Sequence, residues 1–209
     1  MAAEKPFVLN ACFTLKPERR DEYLAIIAED KKQTLATEPL ATVFVCGEDA
    51  TTPNKFHLHE EYIGQEGFDA HGKMPHFKPW ADFVETDPFA EGGGIVAGFY
   101  YGTHEAAKLA ADAPASRCAH AEYCVKAEFK DEFLKLAEET REECGKDESC
   151  ARFVYGEDKD TPNTFHLFRA FDGQESYEAY TGSDQFKKWK AFSEKEPLTK
   201  APVLSSYVV

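Results

Sequence analysis

Long apolar runs are missing from this chain, and none approaches the ~18 residues that a membrane-spanning helix needs. Basic residues are scarce: 24 Lys and Arg stand against 38 Asp and Glu, a net charge of −14. A surface this acidic repels nucleic-acid phosphates and anionic headgroups, so neither nucleic acid nor membrane is expected as a partner. Cysteine is sparse for the length, 6 in 209 residues. That excludes a disulfide-dense secreted scaffold, and no C-x-x-C spacing marks a zinc or redox motif. Reduced thiols and a cytoplasmic compartment are the expectation. The start, Met1-Ala-Ala-Glu-Lys-Pro6, lacks the charged-then-apolar plan of a signal peptide. What is present suffices for a packed core, with 43% hydrophobic residues.

The chain is written twice. Gly47 to Leu58 reads GEDATTPNKFHL, and Gly156 to Leu167, 109 residues on, reads GEDKDTPNTFHL. The match continues through Gly64-Gln65-Glu66 with Gly173-Gln174-Glu175, Trp80 with Trp189, Phe83 with Phe192 and Pro88 with Pro197. Upstream, Asp21-Glu22-Tyr23-Leu24 matches Asp131-Glu132-Phe133-Leu134 at a spacing of 110, so the second copy has lost one residue after its first helix. A repeat of this length is near the usual domain size. The reading is one repeat over 6–101, a linker over 102–115 and a second repeat over 116–209. The linker is rich in alanine and suggests a short helix ended by Pro114.

Each copy reads as strand, helix, strand, strand, helix, strand. Strand one is Phe7 to Leu15 and helix one starts near Pro17, with Tyr23, Ile26, Ile27 and Asp30 at helical spacing. Strands two and three are Ala41 to Cys46 and Lys55 to Tyr62, and the turn-rich Gly47 to Asn54 joins them. Helix two spans about Glu66 to Glu85, interrupted at Gly72 and Pro75. Last strands fall near Ile95 to Tyr101 and Val203 to Val208. Strand three of copy two is apolar on both faces, Phe165, Leu167 and Phe171 against His166, Phe168 and Ala170, so both faces need cover. The expected fold is α+β: two tandem ferredoxin-like repeats forming an internal pseudo-dimeric α/β barrel. The fused chain is then a monomer or a homodimer.

The residues carry a family resemblance. Glu60-Glu61-Tyr62, followed by His71-x-x-x-Pro75-His76-Phe77-Lys78, resembles the dimeric α/β-barrel proteins of the antibiotic-biosynthesis-monooxygenase type, nearest to its quinol monooxygenases and autoinducer-processing isomerases. The resemblance implies a site in repeat one, a small aromatic, quinol or enolisable substrate, and no cofactor. His71 and His76 are the implied catalytic pair; Asn10, Phe13, His57, His59, Tyr62, Trp80 and Phe83 are the implied substrate-binding set. Copy two has Tyr180-Thr-Gly-Ser-Asp-Gln185-Phe186-Lys187 in that place and lacks both histidines. The haem-degrading members carry a strand-one Asn, a Trp and a helix-two His. Asn10 matches the first, but His71 stands in place of the Trp, and Ala81 and Asp82 fall where the haem ligand would be.

Each candidate has a plainer reading beside the functional one. His76 can fill the kink beside Pro75. His57, His59 and Glu61 share a strand face and could ligate a metal, yet copy two carries His166, Phe168 and Ala170 there, so no metal is expected. His57 and His166, kept in both copies, suit a structural hydrogen bond. The Gly-Glu-Asp and Thr-Pro-Asn segments suit a hairpin that bonds its own backbone. The two Trp and two Phe of helix two are core at helical spacing. Gly92-Gly93-Gly94 lacks the strand and helix of a phosphate loop and reads as a flexible connection. Two functions compete: a cofactor-independent oxygenase or isomerase, and a non-catalytic barrel, for instance of a stress response, that holds a small hydrophobic molecule. Haem binding comes third.

Overall fold

Proline and helical periodicity set the first elements of each repeat. The computed structural model describes residues 5–103 and 116–209. The linker helix therefore falls outside the described residues. The chain divides into two units, residues 1–108 and 109–209. In the first, β1 (Pro6–Thr14) leads into a tight turn over Pro17–Arg19, where proline's fixed φ suits the first turn. The helix α1 (Arg20–Thr37) follows and buries Tyr23, Ile27, Asp30 and Thr34, one stripe at three- and four-residue spacing. Next come β2 (Ala41–Asp49), β3 (Lys55–Ile63), α2 (Gly64–His71), α3 (Lys78–Glu85) and β4 (Val96–Tyr101). The strands pair antiparallel in the order β4-β1-β3-β2.

The second unit repeats this plan. Its elements are β5 (Arg117–Cys124), α4 (Lys130–Cys144), β6 (Cys150–Glu157), β7 (Thr164–Phe171), α5 (Gln174–Gly182), α6 (Asp184–Ser193) and β8 (Val203–Val208). The order is β8-β5-β7-β6, again antiparallel. The α+β class and the two ferredoxin-like repeats are thus as the sequence implies. Helix two is in fact two helices in each repeat. In repeat one Gly72 and Pro75 lie in the break between α2 and α3. Strand two runs three residues past Cys46, because Gly47 and Glu48 still pair with His57 and Phe56. β7 is buried along its whole length.

Matched aromatic contacts hold each helix to its sheet. Tyr23 on α1 meets Phe56 on β3 at 4.6 Å between ring centres, and Phe133 on α4 meets Phe165 on β7 at 4.7 Å. Trp80 and Trp189 join these clusters, against Phe13 at 5.3 Å and Tyr123 at 5.7 Å. Among the described residues no helix is long and apolar enough to cross a membrane.

The shared hairpin segment is a side-chain-braced turn. The Asp49 carboxylate accepts from the Thr51 and Thr52 amides and pairs with His57 Nε2 at 2.9 Å. Asp158 does the same with the Asp160 and Thr161 amides and with His166 Nε2 at 2.8 Å. Glu48 accepts from the amide of Asn54 and Glu157 from that of Asn163, and both asparagines take positive φ. Gly93 is not a loose connector. Its carbonyl accepts from Thr14 N at 2.8 Å, and a Cβ there would lie 2.6 Å from Thr14 O.

The expectation of reduced thiols fails at one pair. Cys144, ending α4, and Cys150, opening β6, are joined by a disulfide. Their Cα atoms are 5.3 Å apart, within bridging range, because helix end and strand start face each other across a short loop.

Burial pushes the Asp49 carboxyl up, but its His57 and loop-amide bonds outweigh this and hold it below its usual range. Burial lowers the His57 imidazole. The Asp49 shift stabilises the fold above the unfolded value and is lost on acidification, while the His57 shift adds a cost on acidification, because the buried ring must then charge. His57→Ala removes the hydrogen bond to Oδ2 of the buried Asp49 carboxylate. It should cost about 1–3 kcal/mol, read at pH 7 as a lower urea midpoint with unchanged slope; an unmoved midpoint would refute the bracing role.

Candidate active site

Helix-one periodicity and the helix-two break bring five ionisable groups together. Asp30 lies on the buried stripe of α1. Glu38 caps the C-terminal end of that helix, its amide bonded to Thr34 O. A carboxylate at a helix C-terminus is disfavoured by the dipole and by burial, so it requires strong donors nearby. The break after α2 supplies them. His71 ends α2, and a turn closed by Met74 N on His71 O folds His76 back beside it. His71 Nδ1 donates to Glu38 Oε1 at 2.8 Å, and His76 Nε2 donates to the same oxygen at 2.6 Å. Glu38, as a carboxylate, only accepts, which assigns both protons. His71 Nε2 is then the acceptor end of its ring, 3.8 Å from Asp30 Oδ2.

Three of these groups border an apolar cavity of about 180 Å³ between the helices and the sheet of the first repeat. Asp30, Glu60 and His71 line it, with the rings of Phe13, Phe68, Phe77, Trp80 and Phe99. Asp30 Oδ1 is buried and has no hydrogen-bond partner among the described residues. Burial pushes the Asp30 carboxyl up to about 6, even though His71 and His76 pull the other way. Burial likewise pushes Glu60, on the helix-facing side of β3, up to about 7, with His71 and the hydroxyl of Tyr62 opposing. Tyr62 donates to Glu60 Oε2 at 2.8 Å, and burial beside that carboxylate keeps the phenol protonated. Two carboxyls in the neutral range and an imidazole thus face an aromatic cavity, an arrangement that can accept a proton from a bound ring. Asp30, His71 and His76 also offer three ligand atoms within 4.8 Å of one another, a two-imidazole, one-carboxylate set able to hold a divalent transition metal.

The residues singled out from the sequence divide into three groups. His71, Phe13 and Trp80 line the cavity. His76, Tyr62 and Phe83 support it: His76 through Glu38, Tyr62 through Glu60, and Phe83 against the Trp80 ring at 5.9 Å. Asn10, His57 and His59 lie on the opposite face of the sheet by strand alternation. There His59 bonds Asn10 Oδ1 at 2.6 Å and Glu61 Oε1 at 3.0 Å, while His57 serves the hairpin. Asp30, Glu38 and Glu60 have no part in the expected set. For Asp30 and Glu60 there is a signal, an acid on an otherwise apolar stripe or strand face. Glu38 has none, because its role depends on the turn after His71.

Residues 6–82 and 116–191 match the model of a family described as antibiotic biosynthesis monooxygenase. No curated protein matches the chain. Among solved structures, a "Putative monooxygenase" of Fusobacterium nucleatum is similar over 100% of this chain and 94% of its own, at 18% identity and a TM-score of 0.82. A second, from Lactobacillus acidophilus and also described as a monooxygenase of that standing, matches over 98% and 94%, at 14% identity and 0.76. An "anthrone oxidase-like protein" matches over 99% and 92%, at 14% identity and 0.65. These likenesses extend the fold match across both repeats.

A carboxyl raised in the folded state binds extra protons there, so stability falls as pH rises through the window between its unfolded and folded values. Glu60→Gln removes this penalty and keeps an acceptor for Tyr62. The variant should gain on the order of 1–3 kcal/mol over the wild type between pH 5 and pH 8, measured by urea unfolding at each pH. A constant difference across that range would show that Glu60 titrates normally.

Proposed function

The chain belongs to the antibiotic biosynthesis monooxygenase family, and from that premise we propose that its first repeat is a cofactor-independent oxygenase of a small enolisable hydroxyaromatic, a phenol, quinol or anthrone. The observation that carries this reading is the Asp30 carboxylate: raised to about 6, with an unpartnered oxygen, in the wall of an aromatic cavity. The likeness to an anthrone oxidase-like protein agrees with the substrate class.

The substrate ring lies among Phe13, Phe68 and Trp80, which exclude water. Asp30 takes its acidic proton, and His71 Nε2, turned toward Asp30, accepts that proton in turn. The imidazolium so formed is stabilised by Glu38, and His76 holds Glu38 in place. The substrate anion passes one electron to O2, and the resulting radical pair joins in a new C–O bond. Loss of the remaining hydrogen from that carbon breaks the O–O bond. A CH2 of the keto tautomer becomes C=O, and the second oxygen leaves as water. Substrate carbon supplies all four electrons that O2 needs, so no external reductant enters. The protein's share is proton removal, orientation and a dry cavity.

Oxygen uptake on a panel of quinols and anthrones tests this. The wild type, dialysed against a chelator, should consume one O2 per product, with a rate that rises with pH through about 6. Asp30→Asn and the His71→Ala/His76→Ala double variant should each lose about 100-fold or more. Equal rates in the double variant would sink the proposal. Activity lost on chelation and restored by iron would replace it with a metal site at Asp30, His71 and His76.

A further inference from the structure

The second repeat keeps the cavity and inverts its charge. Glu60 of β3 sits across from Leu9 and Phe44, and Arg169 of β7 sits across from Ala119 and Phe153, the same position in the sheet. By the repeat spacing, Tyr180 replaces His71 and Thr140 replaces Asp30. Thr140 Oγ1 is occupied by Gln185 Nε2 at 2.8 Å and Trp189 Nε1 at 3.0 Å. Among the described residues, no acidic side chain lines this cavity of about 210 Å³.

Arg169 is only 7% exposed, yet its charge is poorly matched. The guanidinium carbon lies 3.9 Å from the ring centre of Tyr180 and 4.8 Å from that of Phe171. These rings offer π-faces, and Tyr180 adds a hydrogen bond through its hydroxyl, but neither supplies a carboxylate. Its ion pair with Asp147 spans 4.0 Å, to a side chain half exposed to solvent. Arg169 Nε has no hydrogen-bond partner among the described residues. A buried guanidinium in this state retains an unmet desolvation cost, and its planar fork fits a carboxylate. On its outer side, Glu143, Asp147 and Asp184 border a separate depression, which repels anions from that direction. The inner, ring-lined side is the one left for an anion.

We propose that the cavity of the second repeat is a binding site for a small aromatic carboxylate, its ring among Tyr123, Tyr177 and Trp189 and its carboxylate on Arg169. The two repeats then differ in task, proton removal in one and anion capture in the other. The capture site stands whether or not the first repeat is an oxygenase.

Calorimetric titration of the whole chain with 2-naphthoate and with its neutral isostere 2-naphthamide tests the assignment. The acid should bind about tenfold or more tightly than the amide. Arg169→Met should abolish that preference while near-UV circular dichroism stays native, and Glu60→Gln in the other cavity should preserve it. In the 15N-labelled wild type, naphthoate should shift the Arg169 Nε–H resonance and naphthamide should not, which decides the matter even where Arg169→Met fails to fold. Equal affinity for acid and amide, a preference that survives Arg169→Met, or an unmoved Arg169 resonance at saturation would each overturn the proposal.

Discussion

An ionisable group taken out of water between a helix layer and a sheet must find a partner, change protonation state or wait for a ligand. Both repeats put such groups on the helix-facing side of strand three, and the rest of each site follows from how the charge is met. In repeat one, Glu38 is matched by two imidazoles on one oxygen. Asp30 and Glu60 lack comparable donors, and their carboxyls rise toward neutrality instead. In repeat two, the residue at the Glu60 position is an arginine, which cannot shed its proton at ordinary pH. It rests on ring faces, with its Nε unmatched among the described residues.

Duplication separates what the fold needs from what the site needs. The braced hairpin is the same in both copies down to the histidine, the aspartate and the positive-φ asparagine. So is the aromatic contact between helix one and strand three. The copies diverge in the polar groups of the cavity walls, Glu60 against Arg169 and His71 against Tyr180, and Asp30 of the first wall is matched by Thr140, which is tied up behind the second. Residues retained in both copies are those that hold the turn and the core. Retention within one chain therefore marks the turn, the core and the apolar floor that both cavities share, Trp80 and Trp189 among it, while divergence marks the polar groups of each site.

The fold was legible because its signals are local or periodic. The repeat, the stripe of Tyr23 and Ile27, and the turn chemistry of Asp49 and Asn54 all lie within short windows. The proline and glycine that divide helix two of the first repeat are equally plain, and of the two outcomes they allow, a kink or a break, the structure has the break. The candidate site was only half legible. His71, Phe13 and Trp80 announce themselves by type and spacing. Asn10, His57 and His59 are the same kinds of residue on the other face of the sheet, and which face holds the cavity depends on tertiary packing. Glu38 is invisible in the pattern, since only the turn after His71 delivers two imidazoles to it. The Cys144–Cys150 bond was missed for the same reason: helix end and strand start meet in space, and no spacing rule announces that.

The central claim is that repeat one holds buried carboxyls poised to exchange protons near neutrality beside an aromatic cavity. Carbon-13 NMR titration of the Asp and Glu side-chain carboxyls, assigned with Asp30→Asn and Glu60→Gln, reads this directly. Two resonances should titrate well above the rest, one near 6 belonging to Asp30 and one near 7 belonging to Glu60. If both groups titrate with the exposed carboxyls near ~4, the wall is an ordinary solvated patch and the account of its chemistry is wrong.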